Sequence, residues 1–316
     1  VIIIIVLFGV IINVNNNILS KSIKSVIPDP FKIIIKKVIT NVPFFYKEKK
    51  FQLSQVESNA KSKYLLKEKI EPKVKKIQSN YYNYELKIFP LPFPSYEEAN
   101  SPNILKQWRG KPVAYLEQIN DKIILASKNG EFFSFKKKNI ELANLNLKKI
   151  DSNIEDLYKL RLTGHSIKDL LIIDDLLYVS LTRELKKNKL FYCYNTLILN
   201  AKFNSNYLNF KDFFTYDECQ YKLNQSSGGR MFPFGSEKIL FTTGDFLNER
   251  TKNKTLSQDK NSIFGKIISI DIYTKKFQVI SMGSRNPQGL YYDKANEIII
   301  HTEHGPKGGD EININL

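Results

Sequence analysis

Beyond residue 110 the chain repeats one pattern four times, and a chain made of one repeated unit has few ways to fold. An apolar strand enters a polar turn and leaves as a second apolar strand. The leaving strands read DKIILAS (121–127), DLLYVSL (175–181), EKILFTT (237–243) and NEIIIHT (296–302), so they start 54, 62 and 59 residues apart. The turns before them, QIND, IIDD, FGSE and DKAN, carry the Asn, Asp and Gly that tight hairpins require. A further strand follows in three copies: EFFSF (131–135), KLFYCY (189–194) and GKIISIDI (265–272). The Lys128-Asn129-Gly130 corner carries a type I′ hairpin signal. Antiparallel units recurring every 40–60 residues predict the blades of a β-propeller, about four of them in this chain. The unequal spacing leaves a sandwich of irregular strands open as the alternative.

The region before the repeats is of a different kind. Residues 1–12, VIIIIVLFGVII, are apolar without a break. A helix of that length spans roughly 18 Å at 1.5 Å per residue, short of a ~30 Å hydrocarbon core. The chain starts inside this run without Met and stops inside the alternation Glu311-Ile312-Asn313-Ile314-Asn315-Leu316, and it reads as a piece of a longer protein. The run is then the end of a signal-peptide core or of a membrane anchor; a buried strand or helix is the other reading. NVNNN follows instead of a small-residue cleavage site, which favours an uncleaved anchor. The lysines after it leave the membrane orientation undetermined. Residues 13–105 form a basic linker or helical appendage. Within it, Leu53, Val56, Ala60 and Tyr64 in the Lys-rich stretch 49–80 predict a solvated helix ended by Pro72. Pro90, Pro92 and Pro94 then make an extended spacer, and the repeats begin near residue 106.

The formal charge of +16 raises nucleic acid as a partner, but the composition argues against it. There are 42 Lys and only 6 Arg, alongside 30 Asn. Readers of phosphates and base edges favour Arg forks, whereas heavy Lys, Asn and Ile usage reads as the product of an AT-rich genome. No nucleic-acid partner is expected. Cys193 and Cys219 can form at most one bridge, and without CxxC spacing they build no thiolate cluster. His165, His301 and His304 make no HExxH site.

Ten of the 14 glycines fall between Gly228 and Gly309, so special backbone geometry is concentrated there. Three segments stand out: GGRMFPFGSEKILFTTGD (228–245), GSRNPQGL (283–290) and EHGPKGGDEIN (303–313), with SQDKNSIFGKIISID (257–271) between them. In this order they resemble the soluble pyrroloquinoline-quinone (PQQ) dependent aldose sugar dehydrogenases, the glucose/sorbosone dehydrogenase family of six-bladed β-propellers. The resemblance covers residues 226–316 well, extends weakly back to about residue 110 and does not cover the appendage.

The resemblance implies an all-β, six-bladed propeller, a PQQ cofactor, Ca²⁺, a sugar substrate, an external electron acceptor and a periplasmic or extracytoplasmic location, membrane-anchored through the N-terminal run. It also implies residue roles. Arg285 and Asn286 match the pair that contacts the cofactor, and a planar guanidinium suits a quinone oxygen or carboxylate that gains charge on reduction. Gly305 and Pro306 match the positions whose carbonyls hold the calcium, as hard oxygen ligands. Glu311 resembles a ligand of a second, structural calcium. Gln258 resembles a glutamine near cofactor and substrate, and Asp245 matches the carboxylate beside the catalytic base. The plainer readings are that Arg285 ties a blade corner, Gly305-Pro306 makes a turn and Asp245 caps one.

The resemblance fails at the base. In the family a His, four residues before the Arg of the G-R segment, removes the proton from the anomeric hydroxyl. Here that position is Ser226, and a serine hydroxyl does not act as a base near neutral pH without its own activator. His165 stands about where the family's second blade offers a Gln toward the cofactor, and is the weaker substitute for the base role. His304 reads as packing of the calcium loop. Two functions therefore stay open: a PQQ- and calcium-dependent sugar dehydrogenase, or a catalytically impaired propeller that binds glycans or proteins.

Overall fold

The computed structural model describes residues 69–78, 83–89, 114–128, 130–142, 145–158, 166–186, 192–220, 226–246, 256–305 and 308–315. The apolar run 1–12, the Pro-rich spacer, His165 and Pro306 lie outside them.

The described part of the appendage is extended. β1 (Lys69–Ile70), β2 (Lys73–Gln78) and β3 (Asn83–Ile88) are strands, and β2 pairs β3 as an antiparallel hairpin. The helix expected to end at Pro72 is not formed at Lys69–Ile70, which pairs as a strand with Leu145–Asn146. Its apolar spacing rests on Leu53 to Tyr64, outside the described residues, whereas past Pro72 the chain has a strand partner in Tyr84-Glu85-Leu86. The Phe89 side chain packs on the hydrophobic cluster of Leu125, Phe133 and Leu145.

The repeats form four consecutive sheets, each beginning with an antiparallel up-and-down run. The first contains β4 (Ala114–Ile119), β5 (Lys122–Ser127) and β6 (Phe132–Lys136). A short helix α1 (Lys138–Glu141) and β7 (Leu145–Asn146), which pairs with β1, lead into its fourth strand β8 (Lys148–Ser152). After helix α2 (Ile154–Leu157), the second sheet orders β9 (Ile167–Ile173), β10 (Leu176–Lys186), β11 (Tyr192–Lys202) and β13 (Lys211–Phe214). The two-residue β12 (Tyr207–Leu208) returns to the first sheet, parallel to β8. The third sheet is β14 (Gly228–Phe234), β15 (Lys238–Thr243), β16 (Lys266–Asp271) and β17 (Phe277–Met282). The fourth has β18 (Pro287–Asp293), β19 (Ile298–Glu303) and β20 (Glu311–Asn315). This succession of antiparallel sheets is the blade organisation of a propeller, and β5, β10, β15 and β19 hold the same second place in each blade, as the repeat predicts.

Each first hairpin carries a residue of positive φ in its turn. Asn120, Asp174, Gly235 and Glu297 all take positive φ, at 52°, 55°, 69° and 56°. The residue that relaxes this strain most cheaply, Gly, occurs in only one of the four turns. At the Lys128 corner Gly130 takes φ 90°, and its N–H reaches the Ser127 carbonyl at 3.1 Å.

Strand alternation sends neighbouring residues to opposite blades. Leu177, Val179 and Leu181 of β10 join Ile124, Phe132 and Ile150 of the first blade. Tyr178 of the same strand turns the other way, into a layer with Phe213, Ile239, Phe241 and Ile268. Leu240 and Ile267 then meet Ile299 of the fourth blade. The core is therefore a series of layers between blades. Cys193 and Cys219 are joined as a disulfide that ties β11 to the segment after β13.

Candidate functional site

The register fixes one end of every blade. Ala114 pairs Ser127, Gly228 pairs Thr243 and Pro287 pairs Glu303, so the first strands start where the second strands finish. The segments around residues 226–228, 243–246, 283–287 and 303–310 gather at that end of the third and fourth blades.

Two backbone segments close together there. Phe246 N–H donates to the Ser226 carbonyl at 3.0 Å, and Gly244 N–H to Ser227 at 3.0 Å. A Cβ on Gly244 would stand 1.8 Å from the Ser226 oxygen, so only glycine lets the segments meet. Ser226 itself takes φ 55°, an uncommon conformation for a residue with a side chain.

Hydrogen bonds run from there into the fourth blade. Asp245 N–H donates to the Arg285 carbonyl at 2.8 Å, and Gly228 N–H to Asn286 Oδ1 at 3.3 Å. Thr242 Oγ1 accepts the N–H groups of Gly229 and Arg230 and donates to the Pro287 carbonyl at 3.2 Å. Asp245 and Asn286 are buried. Arg285 Nη1 donates to the His304 carbonyl at 2.8 Å, its N–H is bonded to Glu303 Oε1, and His304 N–H reaches the Asn286 carbonyl at 3.2 Å. Burial opposes ionisation of Glu303, yet hydrogen bonds from His301, Arg285 N–H and Ser284 hold its carboxyl below the usual range. The loop beyond is folded on itself. Asp310 Oδ1 accepts the Gly305 N–H at 3.0 Å and pairs with His304 Nδ1 at 2.8 Å. A Cβ on Gly305 would stand 1.7 Å from the Gly309 carbonyl oxygen.

Ser226, Asp245, Arg285, Asn286 and Gly305 are thus linked by one hydrogen-bond network. Gln258 is joined to it through Gly283, two residues before Arg285. Gly283 N–H donates to the Ser257 carbonyl at 2.9 Å, and a Cβ on Gly283 would stand 2.9 Å from Gln258 Nε2. Glu311 is exposed at the start of β20, opposite Glu303, and accepts from Asn313 Nδ2 at 3.2 Å. Among the described residues no three His, Cys, Asp or Glu side chains cluster as a metal site.

Sequence reasoning missed three groups. Lys266, fully buried, donates its ammonium to the carbonyls of Leu256, Ser257 and Phe264 at 2.8–2.9 Å and so holds the 3-10 turn that carries Gln258. Burial pulls this ammonium's pKa down. Asp169 of β9 crosses to the third blade, accepting from Arg230 Nη1 and from Met231 N–H, both at 2.7 Å. Burial pushes its carboxyl up to about 7 while Arg230 and Met231 pull the other way. Lys168 lies against Gly229, which takes φ 108°; a Cβ there would stand 2.4 Å from Lys168 Cβ. Burial and the neighbouring Lys128 bring the Lys168 ammonium down to about 7. The Gly228-Gly229-Arg230 run was the available signal for the last two, since paired glycines mark a close approach.

A sequence profile described as Glucose / Sorbosone dehydrogenase matches residues 173–315. No curated protein matches the chain. A solved glucose dehydrogenase is 18% identical with a TM-score of 0.49, over 64% of this chain and 65% of that one. The soluble aldose sugar dehydrogenase of Escherichia coli, solved in its apo-form, is 17% identical with a TM-score of 0.47, over 65% and 60%. The chain spans 60–65% of the length of these two structures. Through residues 173–315, on blades whose order its own strands define, the chain resembles the glucose/sorbosone dehydrogenase family.

Proposed function

We propose that this propeller oxidises aldose sugars with PQQ and Ca²⁺. The observation that carries the reading is the network joining Arg285, Asn286 and Gly305 across two blades. The donor set fits the two groups. Arg285 offers a planar cation suited to an anionic quinone, and Asn286 an amide. Gly305 has no room for a side chain because the Gly309 backbone packs against it, and a backbone carbonyl oxygen is the ligand chemistry of a hard cation. Arg285 and Asn286 would hold the quinone, and Gly305 with Pro306 the calcium. When bound, PQQ with Ca²⁺ supplies a two-electron acceptor for hydride from the sugar.

The chain's own groups do the rest. The Arg285 guanidinium is fixed by the His304 carbonyl, so it meets developing negative charge without reorganising. Lys266 and Gly283 fix the turn bearing Gln258 beside the substrate. An external acceptor then removes the electrons. The Cys193–Cys219 disulfide supports an oxidising, extracytoplasmic compartment, with residues 1–12 as the anchor. Among the described residues no helix is long and apolar enough to cross a membrane.

Ser226 favours a second reading, a propeller that keeps ligand binding without turnover and takes glycans or proteins. Dye reduction by the full chain with PQQ, Ca²⁺ and a panel of aldoses separates the two. Turnover that needs both PQQ and Ca²⁺ supports the dehydrogenase, and PQQ binding without turnover on any sugar supports the binder.

A further inference from the structure

We propose that Glu303 is a positioning residue of the cofactor site, acting through the main chain of Arg285 with His301 as its brace. This role rests on the PQQ reading above and names what keeps Arg285 and Asn286 in place.

Arg285 lies between β17 and β18, outside both ladders, so its N–H needs a partner from elsewhere. Glu303, the last residue of β19 and opposite Pro287 in the register, supplies it. Its Oε1 accepts the Arg285 N–H, and the Ser284 side chain bonds to the same carboxylate. On the other side the Arg285 carbonyl accepts the Asp245 N–H of the third blade at 2.8 Å. Arg285 is thus gripped at both ends, its N–H by a side chain and its carbonyl by backbone. The guanidinium that donates to the His304 carbonyl and the Asn286 amide that accepts the Gly228 N–H both spring from this stretch. A shift of the Arg285 main chain moves both groups together.

Glu303 is itself held. Its side chain is 10% exposed, and His301, 4% exposed, sets Nε2 3.8 Å from Glu303 Oε2. The two residues are two apart on β19 and share a face. Asn313 and Asn315 of β20 close around the imidazole, with their Nδ2 atoms 3.4 Å from His301 Nε2 and 3.1 Å from Nδ1. A carboxylate so confined keeps its acceptor oxygen in one place, as a preorganised site requires.

Two measurements on the full chain test this. In equilibrium titration with PQQ at saturating Ca²⁺, Glu303→Ala should weaken binding at least about tenfold. Glu303→Gln, whose amide oxygen can still accept the Arg285 N–H, should stay within about threefold of the unaltered chain. Affinity in Glu303→Ala within about twofold of the unaltered chain overturns the proposal, and so does a Glu303→Gln as weak as Glu303→Ala. Where Glu303→Ala does not fold, His301→Gln replaces it: removing the brace should weaken PQQ binding at least about threefold, and unchanged affinity overturns the proposal. The second measurement is amide exchange without PQQ. The Arg285 N–H should exchange at least about tenfold faster in Glu303→Ala than in Glu303→Gln, with exchange in β10 unchanged. Equal exchange at Arg285 in the two variants, or the same acceleration in β10, overturns the role. Absence of PQQ binding by the unaltered chain removes the cofactor reading, and the role with it, even if exchange at Arg285 follows Glu303.

Discussion

At residue 229 the approach between two blades is set by the absence of a side chain. Gly229→Ala would put a methyl 2.4 Å from Lys168 Cβ at φ 108°, so the variant should lose about 2 kcal/mol or more, measured by urea unfolding. Lys168 also carries a pH signature. Its folded pKa, about 7, is below the unfolded value of about 10.4, so between them the unfolded chain holds more protons. The stability difference between the unaltered protein and Lys168→Met should therefore favour the variant below pH 7. It should shrink by about 2–4 kcal/mol as pH rises to 10, as denaturant melts at several pH values will show. At residue 226, Ser226→His should raise dye reduction with PQQ, Ca²⁺ and an aldose above that of the unaltered chain, because Asp245 is on the neighbouring segment. Arg285, Asn286 and Gly305 were legible because their segments carry a family pattern. Lys168 was not, since a lysine at the head of an apolar strand looks like an ordinary solvated end. What covers it comes from residues some 60 positions away.

The second strands were the most legible elements, because each couples a run of Ile, Leu and Val to a polar turn. Both faces of β10 are buried, so its apolar run is continuous, and β5, β15 and β19 each leave a short polar turn to pair with the strand before them. The helix expected up to Pro72 was carried too far because lysines suit a solvated helix as well as a solvated strand, and at Lys69–Ile70 the choice is made by pairing with β7. Lys266 was invisible for a related reason: its three acceptors are carbonyls of a turn that the strand pattern does not contain. Lys266→Met would leave those carbonyls without their cation, at a cost of about 3 kcal/mol. Amide exchange at Gly283, whose N–H bonds the Ser257 carbonyl, should speed up in this variant more than exchange in β10.

Over the whole molecule, stability resides in layers between successive blades, so the site depends on blades keeping their places. Asp169 holds the second blade to the third through Arg230 and Met231. Glu218, one residue from Cys219, accepts from Ser262 Oγ at 2.6 Å and Ile263 N–H at 2.8 Å, reaching the loop before β16. The disulfide closes a 26-residue separation, and reducing it should cost about 3 kcal/mol on thermal melting. The central claim is that the third and fourth blades together form a cofactor site built on Arg285, Asn286 and the Gly305 loop. Equilibrium titration of the full chain with PQQ, with Ca²⁺ and with a chelator, tests it most directly. The account predicts saturable binding that needs Ca²⁺ and weakens at least about tenfold in Arg285→Met. Absence of saturable binding, or binding indifferent to both the chelator and Arg285→Met, would contradict it.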